Sequence, residues 1–342
     1  MRILFVKLSA IGDIIHALPA LAAAKRQFPD AAISWVAESR SAEILRGNAL
    51  IDDLIEIDTR SLKNVNIVEK VIPQFRSMMS AVRRNKYDIA IDLQGLIKSS
   101  VIAKLSGAPV RWGFSRSSLR EPSARLLMTH EASIPERTHI IRKNLILAGA
   151  ALGFDPDTAK IEFPISVSDE HRAEAAAIIE RSGERFAILN PAGGWVTKLW
   201  HAEKYGHLAD RISAELGITP VVVTAPNESG LAAAVRSASS GNVLFAEPSL
   251  KGFYELARHA AVYVGGDTGP THLAVAAGAP VVGIFGPTEW WRNGSPREDD
   301  IEVGRTDITC RVDCHRRTCS AWICMDIDVG TVFRSVVRRL GL

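Results

Sequence analysis

The sequence predicts an α/β protein of two Rossmann-like domains facing a cleft, and three observations carry that expectation. The chain has 342 residues, beyond the roughly 250–300 at which one hydrophobic core stops growing. Short apolar runs of strand length alternate with helical segments, the order that yields parallel βαβ units. That alternation restarts after a connector near residue 160.

The elements follow in order. Residues 2–8, Arg-Ile-Leu-Phe-Val-Lys-Leu, form an apolar run suited to a strand buried on both faces. Residues 9–13 supply a turn, after which Ile14, Leu18, Leu21 and Ala22 recur at helical spacing. Residues 33–37 and 88–93 read as later strands of the same half. Residues 154–166 have the proline and polar content of a connector. Beyond it, residues 186–189, 220–224, 261–264 and 280–285 are further buried-strand candidates. The expected domains are 1–160 and 161–328, followed by a terminal helix over 329–342. Open sheets of this kind bind ligands beyond the carboxyl ends of their strands, so the cleft is the expected site.

Composition narrows the function. Hydrophobic residues at 47% and charged residues at 23% are ordinary globular usage and exclude extensive disorder. A net charge of +3 excludes a general nucleic-acid binder. From Lys98 to Lys143, however, nine Lys or Arg face three Asp or Glu, a local excess that suits an anionic ligand. The longest stretch without a charged side chain, 268–288, is broken by four glycines and three prolines and does not read as a membrane span. Lys7, Asp13 and His16 interrupt what would otherwise resemble a secretory leader, so a cytoplasmic location is expected.

The most informative motif is Tyr263-Val264-Gly265-Gly266-Asp267-Thr268-Gly269-Pro270-Thr271-His272. A strand ends in glycines and a helix begins near Pro270, which leaves helix N-terminal amides free to bind an anion. Gly269 permits close approach, and Thr271 and His272 add side-chain donors. The plainer alternative is a tight strand-to-helix turn in which Asp267 only caps the helix.

Gly-Asp-Thr-Gly-Pro-Thr-His at 266–272, followed by Phe285-Gly286-Pro287-Thr288, resembles the signature of the ADP-heptose:lipopolysaccharide heptosyltransferases. The opening segment from Lys7 to Pro19, the block Asp92-Leu93-Gln94-Gly95-Leu96-Ile97-Lys98-Ser99, and Lys198-Leu199-Trp200 are similar to that family in the same order. The resemblance implies an inverting glycosyltransferase of the GT-B type, with a C-terminal helix returning to the first domain. It further implies that Asp13 is the base that deprotonates the acceptor hydroxyl, with Gly12 admitting the acceptor. For a lone Asp at such a place, a helix N-cap is the ordinary role. Lys198 would stabilise the departing ADP, assisted by Gly193, Gly194 and the amides of Thr268, Gly269 and Thr271. His272 completes the donor set. Glu228 would take the ribose hydroxyls and Asp267 those of the heptose. The chain departs from the family at Asn190-Pro191-Ala192-Gly193-Gly194, where type I members offer hydroxyl side chains.

The implied donor is ADP-L-glycero-D-manno-heptose and the implied acceptor is Kdo-lipid A, rich in carboxylates and phosphates. Arginine recognises such groups bidentately, which makes Arg60, Lys63, Lys98, Arg116, Arg120 and Arg142 the acceptor candidates. Lys104 and Lys143 are expected on a solvated face. The lipid of the acceptor implies transient contact with the cytoplasmic face of the inner membrane. Arg120-Glu121-Pro122 resembles the type I enzymes, and a type II-like enzyme acting on heptosylated core is the alternative. A non-catalytic sugar-nucleotide binder is disfavoured by the presence of Asp13 with Lys198. A nucleotide-dependent oxidoreductase is disfavoured because residues 9–13 lack the G-x-G-x-x-G spacing.

No cofactor is expected, since fixed cations and dipoles can carry the leaving diphosphate. Cys310, Cys314, Cys319 and Cys324 form a candidate structural zinc site, although their spacings of four, five and five differ from paired C-x2-C ribbons.

Overall fold

The computed structural model of the chain describes residues 1–58, 72–312 and 314–342, with side chains for all of these except 72–77. Arg60 and Lys63 lie outside the described residues. The chain divides into two units, Met1–Ser166 and Val167–Leu342.

The first unit holds β1 (Arg2–Val6), β2 (Ala32–Glu38), β3 (Asp53–Ile57), β4 (Ile89–Asp92), β5 (Val110–Phe114) and β6 (His130–Ala132). They form one six-stranded sheet in the order β3-β2-β1-β4-β5-β6, every neighbour parallel. The second unit holds β7 (Phe186–Asn190), β8 (Thr219–Val223), β9 (Leu244–Ala246), β10 (Val262–Gly266), β11 (Val281–Ile284) and β12 (Ile301–Val303). Its sheet runs β12-β11-β10-β7-β8-β9, again wholly parallel. Parallel sheets covered by helices bury both faces. The central strands accordingly read as unbroken apolar runs, and all of β7 and β10 is buried.

Each unit closes its own core. Leu4, Val6, Val36, Ile55, Val82 and Ile102 pack together in the first. Leu189, Trp200, Tyr205, Val264, Ile284 and Phe333 do so in the second. In each sheet the order reverses at the pair of central strands, β1 with β4 and β7 with β10. Such reversals open a crevice at the carboxyl ends, because the crossovers on either side leave in opposite directions.

One boundary differs from the sequence expectation. Residues 161–166 stay with the first unit rather than beginning the second. Glu162 pairs with Arg26, the Asn48 side-chain amide donates to the Pro164 carbonyl at 2.7 Å, and Phe163 packs beside Ala20, Ile141 and Leu145. The C-terminal helix, Val329–Arg339, falls in the second unit. Val332, Phe333 and Val336 form one helical stripe buried against the helix Ala202–Leu216 and the strands β11 and β12. The Arg211 guanidinium lies 4.0 Å over the Phe333 ring. Among the described residues no helix is long and apolar enough to cross a membrane.

Candidate functional site

The second unit gathers its polar residues at the β7/β10 reversal. Gly265 of β10 is in register with Asn190 of β7, so the loops that follow the two strands emerge side by side. The β7 loop carries Gly193, Gly194 and a short 3-10 turn, Val196–Lys198. Gly193 has a packing reason to lack a side chain, since a Cβ there would lie 2.7 Å from Leu199 Cδ2. Gly194 is exposed with no neighbour at that position.

Lys198 reaches across the reversal. Its Nζ lies 2.6 Å from Asp267 Oδ2 and 3.2 Å from the Asp267 carbonyl oxygen. The ammonium also sits 4.3 Å from the centroid of the Trp195 ring, a cation–π contact. An ammonium has three donors, so one remains beyond the two given to Asp267. His272, one turn into the following helix, places Nε2 3.2 Å from Asp267 Oδ1. Asp267 is buried, and burial alone would raise its pKa. The His272 and Lys198 contacts outweigh that penalty and hold the carboxyl well below the usual carboxylate range.

The helix Gly269–Ala277 starts at Thr268, whose side chain makes no capping bond to the first-turn amides. The side chain of Thr268 thus leaves the amides of Gly269 and Thr271 uncapped at the positive end of the helix dipole, where an anion is favoured. Thr271 has a different role from the expected one. Its hydroxyl donates to the Gly266 carbonyl and receives the Tyr263 hydroxyl at 2.9 Å, so it locks the turn and has no hydrogen left for a ligand. Glu228 follows β8 as expected. One carboxylate oxygen accepts the Ala225 amide at 2.8 Å, closing its own turn.

The first unit has the same arrangement at its β1/β4 reversal. Gly12 is buried in the short helix Ile11–Ile15, and Asp13 beside it is half-buried. Asp13 Oδ2 accepts the Ala10 amide at 2.9 Å, so the ordinary capping role occupies one oxygen. Behind this turn Lys7 is buried and donates to the Leu93 carbonyl at 2.8 Å. Burial lowers the Lys7 pKa, against the opposing charges of Asp13 and Asp92.

The basic block separates into groups. Arg116 and Arg120 are exposed on the loop after β5, and Lys98 is exposed with Glu38 at 3.5 Å. Arg142 does not join them: it donates to the Pro156 carbonyl and pairs with Asp157, which ties the helix Ile140–Leu152 to the connector. Lys104 is solvated as expected. Lys143 is not, because its Nζ donates to the Ser118 carbonyl at 2.8 Å and lies 4.4 Å from the Phe114 ring centroid. It fastens the Arg116 loop.

Cys310, Cys314, Cys319 and Cys324 are all free and line one cavity of about 150 Å³ together with Thr197 and Trp322. The thiols suit a soft metal in kind. Among the described residues, however, no three His, Cys, Asp or Glu side chains converge to hold one. The segment is instead tied to the Lys198 turn: Thr197 donates to the Arg316 carbonyl at 2.6 Å, and Trp322 Nε1 donates to the Thr197 carbonyl at 3.1 Å. Trp195, the Tyr263 hydroxyl's bond to Thr271 and these two ties were not singled out from sequence. An indole three residues before a site lysine was the available signal for Trp195.

Comparison with protein families matches residues 75–322 to glycosyltransferase family 9 (heptosyltransferase). The chain is 27% identical to lipopolysaccharide heptosyltransferase 1 of Pseudomonas aeruginosa, over 94% of this chain and 88% of that one. It is 23% identical to lipopolysaccharide heptosyltransferase 3 of Escherichia coli, over 82% and 83% of the two chains. Among solved structures, Escherichia coli heptosyltransferase WaaC with ADP matches at a TM-score of 0.77 and 25% identity, covering 89% of this chain and 93% of that one.

Proposed function

The chain belongs to glycosyltransferase family 9, the heptosyltransferases, and we propose that it moves heptose from ADP-L-glycero-D-manno-heptose to the Kdo residue of Kdo-lipid A. It is a glycosyltransferase with the GT-B fold and a heptosyltransferase of lipopolysaccharide-core synthesis. The observation that carries the donor half of the reading is the meeting of Lys198, Asp267 and His272 beside the uncapped start of the helix Gly269–Ala277. A relative named lipopolysaccharide heptosyltransferase 1, aligned over 94% of the chain, supports the type I reading, for which Kdo is the expected acceptor sugar.

In this reading the donor diphosphate sits on the free amides of that helix, with the third N–H of Lys198 directed at it. Asp267 fixes Lys198 and His272, whose contacts already engage both of its carboxylate oxygens. Glu228 offers its second oxygen to the ribose hydroxyls. Gly193 and Gly194 keep the β7 loop low over the phosphates. The acceptor is held in the first unit by Lys98, Arg116 and Arg120, guanidinium and ammonium groups matched to carboxylate and phosphate.

The chemistry is a single displacement. Asp13 takes the proton of the acceptor hydroxyl through the oxygen not held by Ala10, and that hydroxyl oxygen attacks the anomeric carbon. The bond from that carbon to the β-phosphate oxygen breaks with inversion, and its electron pair leaves on ADP. Lys198 and the helix amides stabilise this developing charge, which is where preorganised donors are worth most. No step requires a metal. The reaction takes place in the cytoplasm, with the enzyme in transient contact with the inner membrane that holds the lipid of the acceptor.

The test is ADP release by purified protein given ADP-heptose and de-acylated Kdo-lipid A, beside a no-acceptor control. Release that depends on the Kdo acceptor supports the proposal. Turnover only on heptosylated core moves the assignment to a later heptose transfer, and silence with both acceptors removes the donor.

A further inference from the structure

We infer that Gln94 is a positioning residue for Asp13: it touches no substrate but fixes the backbone on which the base rests. The inference depends on Asp13 being the base.

The geometry is a relay across the β1/β4 reversal. Gln94 Oε1 accepts two successive main-chain amides, Leu8 at 3.0 Å and Ser9 at 3.2 Å. Both partners are N–H donors, so the side-chain oxygen, and not the nitrogen, faces them. The next amide along, Ala10, is the one that holds Asp13 Oδ2 at 2.9 Å. Three consecutive amides therefore end on two side-chain oxygens, and the direction of the Asp13 carboxylate follows from where Gln94 puts residues 8 and 9.

Gln94 is itself held from behind. Asp92 Oδ1 accepts the Gln94 amide at 3.0 Å and the Gly95 amide at 3.1 Å. Asp92 Oδ2 accepts the Ser99 hydroxyl at 3.0 Å and the Ser100 hydroxyl at 2.6 Å. With Lys7 on the Leu93 carbonyl, the end of β4 clamps the end of β1 on both sides of the turn. Asp92, Ser99, Ser100 and Lys7 are buried, and hydrogen bonds among buried groups hold a single geometry more strongly than those in water. A base must be within hydrogen-bond reach of its proton and correctly aimed. An error of about 1 Å in such placement costs on the order of 100-fold in rate.

The experiment compares Gln94→Met, Gln94→Asn and Gln94→Glu with wild type and Asp13→Ala. It uses ADP release from ADP-heptose and de-acylated Kdo-lipid A, with ADP affinity and thermal midpoint measured alongside. Gln94→Met removes the acceptor at constant length, and Gln94→Asn draws the amide back by one methylene. Both should lower kcat by roughly 10- to 100-fold with ADP affinity unchanged. Gln94→Glu keeps an oxygen for both amides and should restore most of that loss. In an Asp13→Ala background, followed in single-turnover incubations, Gln94→Met should cause no further fall.

Wild-type turnover in Gln94→Met and Gln94→Asn would overturn the inference. So would a fall of the same size in the Asp13→Ala background. If Gln94→Met does not fold, Gln94→Asn and Gln94→Glu carry the comparison alone. Full turnover by Asp13→Ala would instead remove the base assignment, a separate failure with its own signature.

Discussion

Lys198 Nζ and Asp267 Oδ2 are 2.6 Å apart although the two residues leave different strands, and the Asp267 side chain is 3% exposed against 12% for Lys198. The pair bridges the loops after β7 and β10 at the point where the strand order reverses. Breaking one half of a buried pair leaves the other charge without compensation. Lys198→Met is therefore expected to lower unfolding free energy by about 3 kcal/mol, with His272 still supporting Asp267. It should also lower kcat by roughly 100- to 1,000-fold. Urea titration and ADP-release kinetics measure the two effects, and a variant as stable and active as wild type would deny the pair both roles.

Asp267 also makes acid stability asymmetric. Its carboxyl titrates well below the usual range in the folded protein, whereas the unfolded chain has the ordinary value of about 3.9. Between the two values the unfolded chain binds more protons, so stability falls as pH falls. The contribution is complete above about pH 4 and is lost progressively below it. Urea midpoints collected from pH 6 downward should fall more steeply for wild type than for Asp267→Asn. Parallel curves would contradict the shift.

Asp13 separates a cap from a base. Asp13→Asn keeps an oxygen for the Ala10 amide, so stability should stay within about 0.5 kcal/mol of wild type. Asp13→Ala loses the cap and should cost about 1 kcal/mol. Both lose the carboxylate proposed as the base, and turnover should drop by roughly 100- to 10,000-fold in each. An Asn variant that retained turnover would leave Asp13 as a cap alone.

The cysteines should differ in reactivity. The amides of Trp322 and Ala321 lower the pKa of the exposed Cys319 thiol, and burial raises that of Cys324. Alkylation by iodoacetamide at neutral pH, followed by peptide mass spectrometry, should modify Cys319 first and Cys324 last. Equal rates would contradict those environments. Incubation with a chelator should leave turnover unchanged, and a loss restored by added magnesium would refute the metal-free reaction.

Phe333 reports on the terminal helix. Its ring is 5% exposed within the second core, and Phe333→Ala should cost about 3–5 kcal/mol, read from denaturant midpoints. A loss under 1 kcal/mol would mean that the helix contributes little to that core.

The central strands were legible because burial on both faces writes them as continuous apolar runs, as in residues 3–6 and 186–189. The strands β3, β5 and β6 were not, because their residues are partly exposed and carry no such run. Among site residues, Lys198, Asp267 and His272 were found through a motif and do meet. Thr271 was misread because a hydroxyl beside an anion motif gives no sign of where its one hydrogen points. Arg142 and Lys143 were misread for a related reason: sequence reports a charge, whereas the backbone carbonyl it meets in the fold decides its use. The packing of the last helix in the second core was not legible either, because it depended on the stripe of Val332, Phe333 and Val336 meeting that core, a property of the fold and not of the helix alone.

The two sheets are wired alike, for β1 to β6 and β7 to β12 take the same places in their respective orders. Each contiguous half completes its own ladder and core. Mutations that retune one crevice therefore leave the hydrogen bonding of the other sheet intact. Selection, or an engineer, can revise one crevice without the other, because the two are inherited on separate stretches of the gene.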